Sequence, residues 1–221
     1  MKAGSGTDCK KNRGDRKTVA KRRCGRCGQT ACRLSGAEAL ESEFIFFSRP
    51  ATFPPMILGI LSDTHNHLDA TRRALAALAD AGAGGLVHCG DIGDDALDLL
   101  SAECLDRGIR AWAALGNCDA WSDAAYLPSP AGVTLARTVF FDADGKSCAA
   151  MHGDDAWCLH RLASSGRLDY LFTGHTHFPL METIGRTVLL NPGSAARPRN
   201  GMPTAAVLDT ASGDARWIPL E

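Results

Sequence analysis

No stretch of this 221-residue chain is apolar for long enough to cross a bilayer. Phe44-Ile45-Phe46-Phe47 comes nearest, and it is too short even for the apolar region of a secretory signal. A disulfide framework is also lacking. The nine cysteines are an odd number, and without a secretory signal they point to the reducing cytosol. There is no internal repeat, and the net charge is only -1. The expectation from these absences is a soluble, cytoplasmic protein with no membrane partner. Its length suits one domain, able to bury about 70% of its unfolded surface.

The small net charge hides an asymmetry. Residues 1–33 carry eleven Lys or Arg against two acids, Asp8 and Asp15. The remainder carries thirteen basic against twenty-three acidic residues. Residues 1–55 therefore read as a basic extension, disordered or not part of the native protein, because they have too little apolar surface to offset the entropy of ordering. Native translation is expected to start at Met56, where a clean strand follows Pro54-Pro55. Within the extension, Cys24 and Cys27 have the CxxC spacing that lets two thiolates share a zinc ion, but Cys9 and Cys32 are isolated. Nucleic-acid binding by the basic run and a transit-peptide role stay open.

From Met56 the pattern alternates. Met56–Leu61 is a continuous apolar run, as in a strand buried on both faces. A helix over Leu68–Ala81, a strand over Leu86–Cys89, a helix over Asp94–Arg107 capped by Asp94 or Asp95 and stopped by Gly108, and a strand over Ile109–Leu115 follow. Such a run implies a parallel sheet with right-handed crossovers. After Pro130 the chain turns mostly to strands: a hairpin of Val133–Asp142 with Lys146–His152, then Leu168–Thr173, Leu180–Ile184, Thr187–Leu190, Thr204–Asp209 and Arg216–Leu220. A helix over Asp154–Ser165 interrupts them. Two facing sheets with helices outside would bury these faces.

The chemistry sits at the strand ends. The apolar runs terminate in Ser62-Asp63-Thr64-His65, His88-Cys89-Gly90-Asp91, Gly116-Asn117-Cys118-Asp119, Met151-His152-Gly153-Asp154 and Gly174-His175-Thr176-His177. In open α/β sheets, ligands gather at the carboxyl ends of strands. Residues two apart on an extended chain point to the same side, so Asp63 with His65, and His175 with His177, are each expected to grip one ion. Gly90, Gly116, Gly153 and Gly174 would allow sharp turns and close approach to an ion. Burying so many Asp, His and Asn groups without an ion would be costly. His88 reads either as a support for Asp91 or as core, His67 as a rim residue or a helix start, and His160 as surface.

In this order the blocks resemble the calcineurin-like metallophosphoesterase superfamily, whose pattern is DxH, GD, GN followed by a variable residue and an acid, H, and GHxH. The GNCD variant, with Asn191-Pro192-Gly193-Ser194 and Pro198-Arg199, looks most like the small prokaryotic single-domain phosphodiesterases. The resemblance runs from Met56 to about Pro219. It implies an α/β fold, a four-layer αββα sandwich. It implies two divalent ions, Mn, Ni, Fe or Zn, one held by Asp63, His65, Asp91 and His177. The other would be held by Asp91, Asn117, His152 and His175, with Asp91 shared. The expected reaction is hydrolysis of a small phosphodiester, or of a monoester, by hydroxide held between the ions. Asp91, Asn117 and Asp119 would be catalytic, and Arg199, or else Arg197, would bind a phosphate oxygen. Cys118 also falls at the substrate side. Larger relatives carry His there, paired with the following acid, and a thiol cannot replace an imidazolium; activity should favour good leaving groups. Two rivals have the same fold. One is a scaffold like the retromer subunit that resembles it, whose metal site is incomplete. The other is a nuclease, which the acidic body disfavours. Homo-oligomerisation is open.

Overall fold

The computed structural model of the chain describes residues 55–119 and 128–221. The basic N-terminal stretch, with Cys9, Cys24, Cys27 and Cys32, lies outside the described residues. Eleven strands and three helices are described, in the order β1 (Ile57–Leu61), α1 (Leu68–Asp80), β2 (Gly85–His88), α2 (Asp94–Arg107), β3 (Arg110–Ala114), β4 (Val133–Ala136), β5 (Thr138–Ala143), β6 (Lys146–Met151), α3 (Ala156–Ala163), β7 (Tyr170–Phe172), β8 (Pro179–Ile184), β9 (Thr187–Pro192), β10 (Thr204–Asp209) and β11 (Ala215–Pro219). Among these residues no helix is long and apolar enough to cross a membrane.

The strands form two mixed sheets. The first has the order β11-β10-β1-β2-β3-β4 and the second β5-β6-β7-β9-β8. In the first sheet, β1 through β4 are parallel, while β10 lies antiparallel to β1 and β11 antiparallel to β10. The apolar run of β1 is buried on both faces for a simple reason. Leu58 and Ile60 enter the layer between the sheets, with Val87 and Phe172, whereas Leu61 joins Leu78, Leu86 and Leu100 under α1 and α2. Trp112 of β3 stacks on Phe141 of β5, with ring centroids 4.3 Å apart, which fastens one sheet to the other. On the far side of the second sheet, Ala163 and its neighbours on α3 cover Leu171 and Leu189. The layers are therefore helix, sheet, sheet, helix, as the sequence implied.

Two local readings are corrected. The alternating run Val133–Asp142 is not one strand. It breaks at Arg137, and β4 completes the first sheet beside β3 while β5 opens the second. Alternation alone does not register such a change of sheet, because both halves keep the period of two. The cap of α2 also differs from expectation. Gly93, not Asp94 or Asp95, is the N-cap residue and has no side chain to offer. Asn66, from the loop after β1, supplies the missing oxygen: its Oδ1 accepts from the Ala96 amide at 3.1 Å, and its Nδ2 donates to Asp95 at 3.0 Å. Asn66 does this from the left-handed region, at φ 60°.

Asn66→Ala removes the capping oxygen and places a Cβ-bearing residue that tolerates left-handed backbone poorly. It should cost about 2 kcal/mol, read as a lower urea midpoint. Asn66→Gly, which keeps the backbone at ease, should cost less; equal losses would show that the cap contributes alone.

Candidate metal centre

All five polar strand ends meet at one edge of the sandwich. The first sheet supplies Asp63 and His65 after β1, Asp91 after β2, and the Gly116–Asp119 turn after β3. The second supplies His152 after β6 and His175 and His177 after β7. Three groups of donor atoms lie within 4.8 Å of one another: Asp63, His65 and His177; Asp63, Asp91 and His152; and His65, Asp91 and Cys118. Asp63 and Asp91 each belong to two groups, so the three form one continuous cluster.

The orientation of the imidazoles is the informative detail. His177 Nδ1 lies 2.5 Å from the carbonyl oxygen of Arg197, and His152 Nδ1 lies 2.9 Å from that of Cys89. A carbonyl can only accept, so both Nδ1 atoms carry protons and donate. In the neutral ring, Nε2 then presents a lone pair. His177 Nε2 faces Asp63 Oδ1 at 3.1 Å, and His152 Nε2 faces Asp91 Oδ2 at 3.4 Å. A lone pair opposite a carboxylate oxygen is repulsive unless a cation or a proton stands with them. Asp63 Oδ1 and His65 Nε2 are moreover buried without a hydrogen-bond partner among the described residues. His175 completes this side, with Nδ1 3.3 Å from His152 Nε2 and its amide donating to Asp63 Oδ2 at 3.2 Å. These donors fit a divalent cation.

Electrostatics agree with that reading. Burial pushes the Asp63 carboxyl up, against the lowering effect of the Ser62 hydroxyl, which donates to it at 2.6 Å. Burial would also raise Asp91, but hydrogen bonds from His152 and from the Cys118 amide outweigh it and hold Asp91 below the usual carboxylate range. His152 is raised, because Asp91 more than offsets the effect of its burial. Burial, with the nearby Arg197 charge opposing the two carboxylates, lowers His65. The Cys118 thiol is pushed up to about 11, first by desolvation and then by Asp91, so at neutral pH it is an uncharged thiol.

The backbone is bent to bring these groups together. Five of the seven expected ligands sit at positive φ: Asp63 at 55°, His65 at 46°, Asp91 at 52°, His175 at 65° and His177 at 61°. The expectation that Asp63 and His65, or His175 and His177, share a side because the chain is extended is thus corrected; each pair converges through two left-handed residues. Such residues cost roughly 1–3 kcal/mol each and persist where their surroundings over-determine them. Gly90 and Gly153 take the sharp-turn conformations expected of them, at φ 94° and 100°, but Gly116 and Gly174 act differently. A Cβ on Gly116 would lie 2.1 Å from Asp91 Oδ1, and one on Gly174 would lie 2.0 Å from Ser62 Oγ. They admit the ligand carboxylates and their supports, rather than an ion.

Several supporting residues carry more than the sequence disclosed. His88 is buried and neutral, held down to about 3 chiefly by desolvation. Its Nδ1 accepts from the Gly90 amide at 3.2 Å, leaving Nε2–H for the Thr64 hydroxyl at 3.0 Å, which in turn donates to the Ile92 carbonyl. His88 thus ties the Asp63 loop to the Asp91 loop without touching the Asp91 carboxylate. Asn191 donates to the Gly174 carbonyl at 2.8 Å and to Thr176, and Ser194 donates to the Asp63 carbonyl at 3.0 Å. The available signal was a polar residue embedded in an apolar strand end.

Of the expected site residues, Asn117 is exposed on its turn, and its described side-chain contact is with Cys118 Sγ at 3.6 Å. Asp119 is buried, and its carboxylate accepts from the amides of Ile92, Gly93 and Gly116 at 2.8–3.1 Å. That makes it an anchor of two ligand loops. Arg199 is exposed, without a described contact to the cluster. Arg197 is the arginine at the mouth: its Nε meets His67 Nε2 at 3.2 Å, and its charge acts on His65.

A carboxylate–imidazole cluster of this kind, at the carboxyl ends of strands from two facing sheets, defines a metal-dependent phosphoesterase once the family is known. Residues 56–213 match the model of the calcineurin-like phosphoesterase superfamily domain. The chain belongs to that superfamily. A phosphodiesterase of Methanocaldococcus jannaschii is 29% identical over 177 residues, covering 75% of this chain and all of the relative. Phosphodiesterase YfcE of Escherichia coli is 29% identical over 164 residues, covering 68% of this chain and 85% of the relative. The solved structure of an archaeal phosphodiesterase superposes with a TM-score of 0.63 at 25% identity, over 75% of this chain and all of that one.

Two predictions follow from the geometry. Gly116→Ala should displace Asp91 and weaken binding of Mn2+ at least tenfold in a calorimetric titration; unchanged affinity would mean that the turn shifts freely. The second concerns pH. Because the His152 ring is raised above its ordinary 6.5, the metal-free fold keeps its proton where the unfolded chain has lost it. Its stabilising contribution is complete below that pH and disappears as pH rises through the folded value. A cation needs the same lone pair, so affinity should rise by up to about tenfold per pH unit across that window. A flat profile would show that His152 is not a ligand.

Proposed function

We propose that this chain hydrolyses small phosphodiesters, and monoesters more slowly, with two divalent cations. The observation that carries the proposal is the pair of opposed contacts, His177 against Asp63 and His152 against Asp91. In its neutral form each ring presents a lone pair to a carboxylate, and one comes from each half of the cluster. One cation is assigned to Asp63, His65, Asp91 and His177, and the other to Asp91, Asn117, His152 and His175. Asp91 lies between the halves, with Oδ2 3.8 Å from His65 Nδ1 and 3.4 Å from His152 Nε2, which supports a shared role. When bound, such ions supply Lewis acidity, lowering the pKa of water towards neutrality and offsetting charge on phosphoryl oxygens.

The chain's own residues do the rest. Asn117, exposed at the mouth, reaches its ion by turning inward from the Gly116–Asp119 loop. Asp119 holds that loop against the Asp91 loop, so its part is positioning, in place of the catalytic role expected of it. Arg197, steadied by His67, offers its guanidinium to a phosphate oxygen, the second of the two arginines expected for that role. Cys118 stays protonated and uncharged, and lends little acid strength to a departing alkoxide. Substrates whose leaving groups need no protonation are therefore favoured.

The test is an assay of metal-stripped protein on bis-nitrophenyl and nitrophenyl phosphate, with Mn, Ni, Fe or Zn added back singly. Turnover should return with at least one metal and be faster on the diester. Asp91→Ala should abolish it, and Arg197→Ala should raise KM about tenfold or more while Arg199→Ala changes little. Bound ions without turnover would establish the scaffold reading instead.

A further inference from the structure

We infer that Arg137 is a positioning residue that sets the separation between Asn117 and His152, two ligands that different sheets contribute to one ion. This inference rests on the two-ion reading above.

Arg137 stands at the single bent residue between β4 and β5, where the chain leaves the first sheet for the second. Its guanidinium reaches both ways. Nη1 donates to the carbonyl of Gly116 at 2.9 Å and, more weakly, to that of Leu115 at 3.4 Å; Nη2 donates to Asp154 Oδ2 at 3.0 Å. Gly116 immediately precedes Asn117, and Asp154 follows His152 by two residues. One planar group therefore holds the loop of each ligand, with donors at fixed separation and angle.

Other ties between the sheets at this edge go elsewhere. His152 Nδ1 donates to the Cys89 carbonyl, and the His175 amide donates to Asp63. They place His152 and His175 relative to the Asp63 and Asp91 loops. Among the described hydrogen bonds, the Gly116 carbonyl is joined to the second sheet through Arg137. The Asn117 turn would otherwise be located by the first sheet alone, through β3 and the Asp91 loop.

A general role in stability predicts different behaviour. The Arg137 side chain is 55% exposed, and ion pairs this open contribute little to folding. A positioning group beside metal ligands instead shifts affinity, typically 10- to 100-fold. The two roles thus separate experimentally.

The experiment is calorimetric titration of Mn2+ into the metal-stripped full chain, with thermal unfolding of each stripped protein measured alongside. Arg137→Gln should weaken one of the two ions 10- to 100-fold, leave the other within about twofold, and barely move the metal-free unfolding midpoint. Arg137→Lys should not rescue it, since one ammonium cannot span the Gly116 carbonyl and the Asp154 carboxylate. Asp154→Ala should reproduce the effect, and the double variant should fall no further than the worse single one. Unchanged affinities, equal weakening of both ions, additive losses, or a midpoint that falls in step with affinity would each overturn the inference. If the wild type binds a single ion, the two-ion reading fails, and the same comparison made on that ion decides the role of Arg137.

Discussion

The structure depends most on a commitment made by two imidazole protons. His152 and His177 each give the Nδ1 proton to a backbone carbonyl, and the tautomer follows. With that settled, Nε2 of each neutral ring points a lone pair inward, opposite a carboxylate that is itself out of water. The arrangement is unfavourable between a neutral ring and a bare carboxylate, and favourable around a proton or a cation. The carbonyls involved belong to Cys89 and Arg197, on loops about a hundred positions apart in sequence. Much of the surrounding architecture can be understood as holding those carbonyls and carboxylates still.

That support is layered. Asn191 and Ser194 pin the His175–His177 loop and the Asp63 loop, while His88 and Thr64 pin the Asp63 and Asp91 loops to each other. Asp119 gathers amides from both the Asp91 and Gly116 segments. Each of these residues is polar, buried and satisfied, in keeping with the penalty for burying an unpaired group. Their hydrogen bonds also constrain the five left-handed residues, which an unsupported loop would relax.

Much of this was legible in the sequence, and the limits have physical reasons. Strands ending in Asp or His announced where ligands gather, because side chains of that kind are excluded from apolar strands unless they serve something. The four layers followed from apolar runs too continuous for a sheet with one wet face. The conformation of those strand ends was not legible. Asp and His accept left-handed backbone without signalling it, so Asp63 and His65 looked like extended neighbours. The change of sheet at Arg137 was hidden because both flanking strands alternate in phase. The orientations of Asp119 and Arg197 were not legible, because proximity in sequence to a ligand says nothing about which way a side chain turns: one faces amides, and the other faces His67. The capping of α2 by Asn66 joins residues about thirty positions apart, beyond any local capping rule.

The order of strands in the first sheet has a consequence for synthesis. β1 sits between β2 and β10, and Ile57 is paired with Asp209. The second-built neighbour of β1 is therefore absent until about 150 further residues have been made. Until then an apolar strand presents an open edge, the kind of surface that templates aggregation, and closing it requires contacts among the most distant in the sequence, which form slowly. The nascent chain is thus vulnerable until β10 is made, and β10 with β11 acts as the closure that makes the folded domain safe from β1.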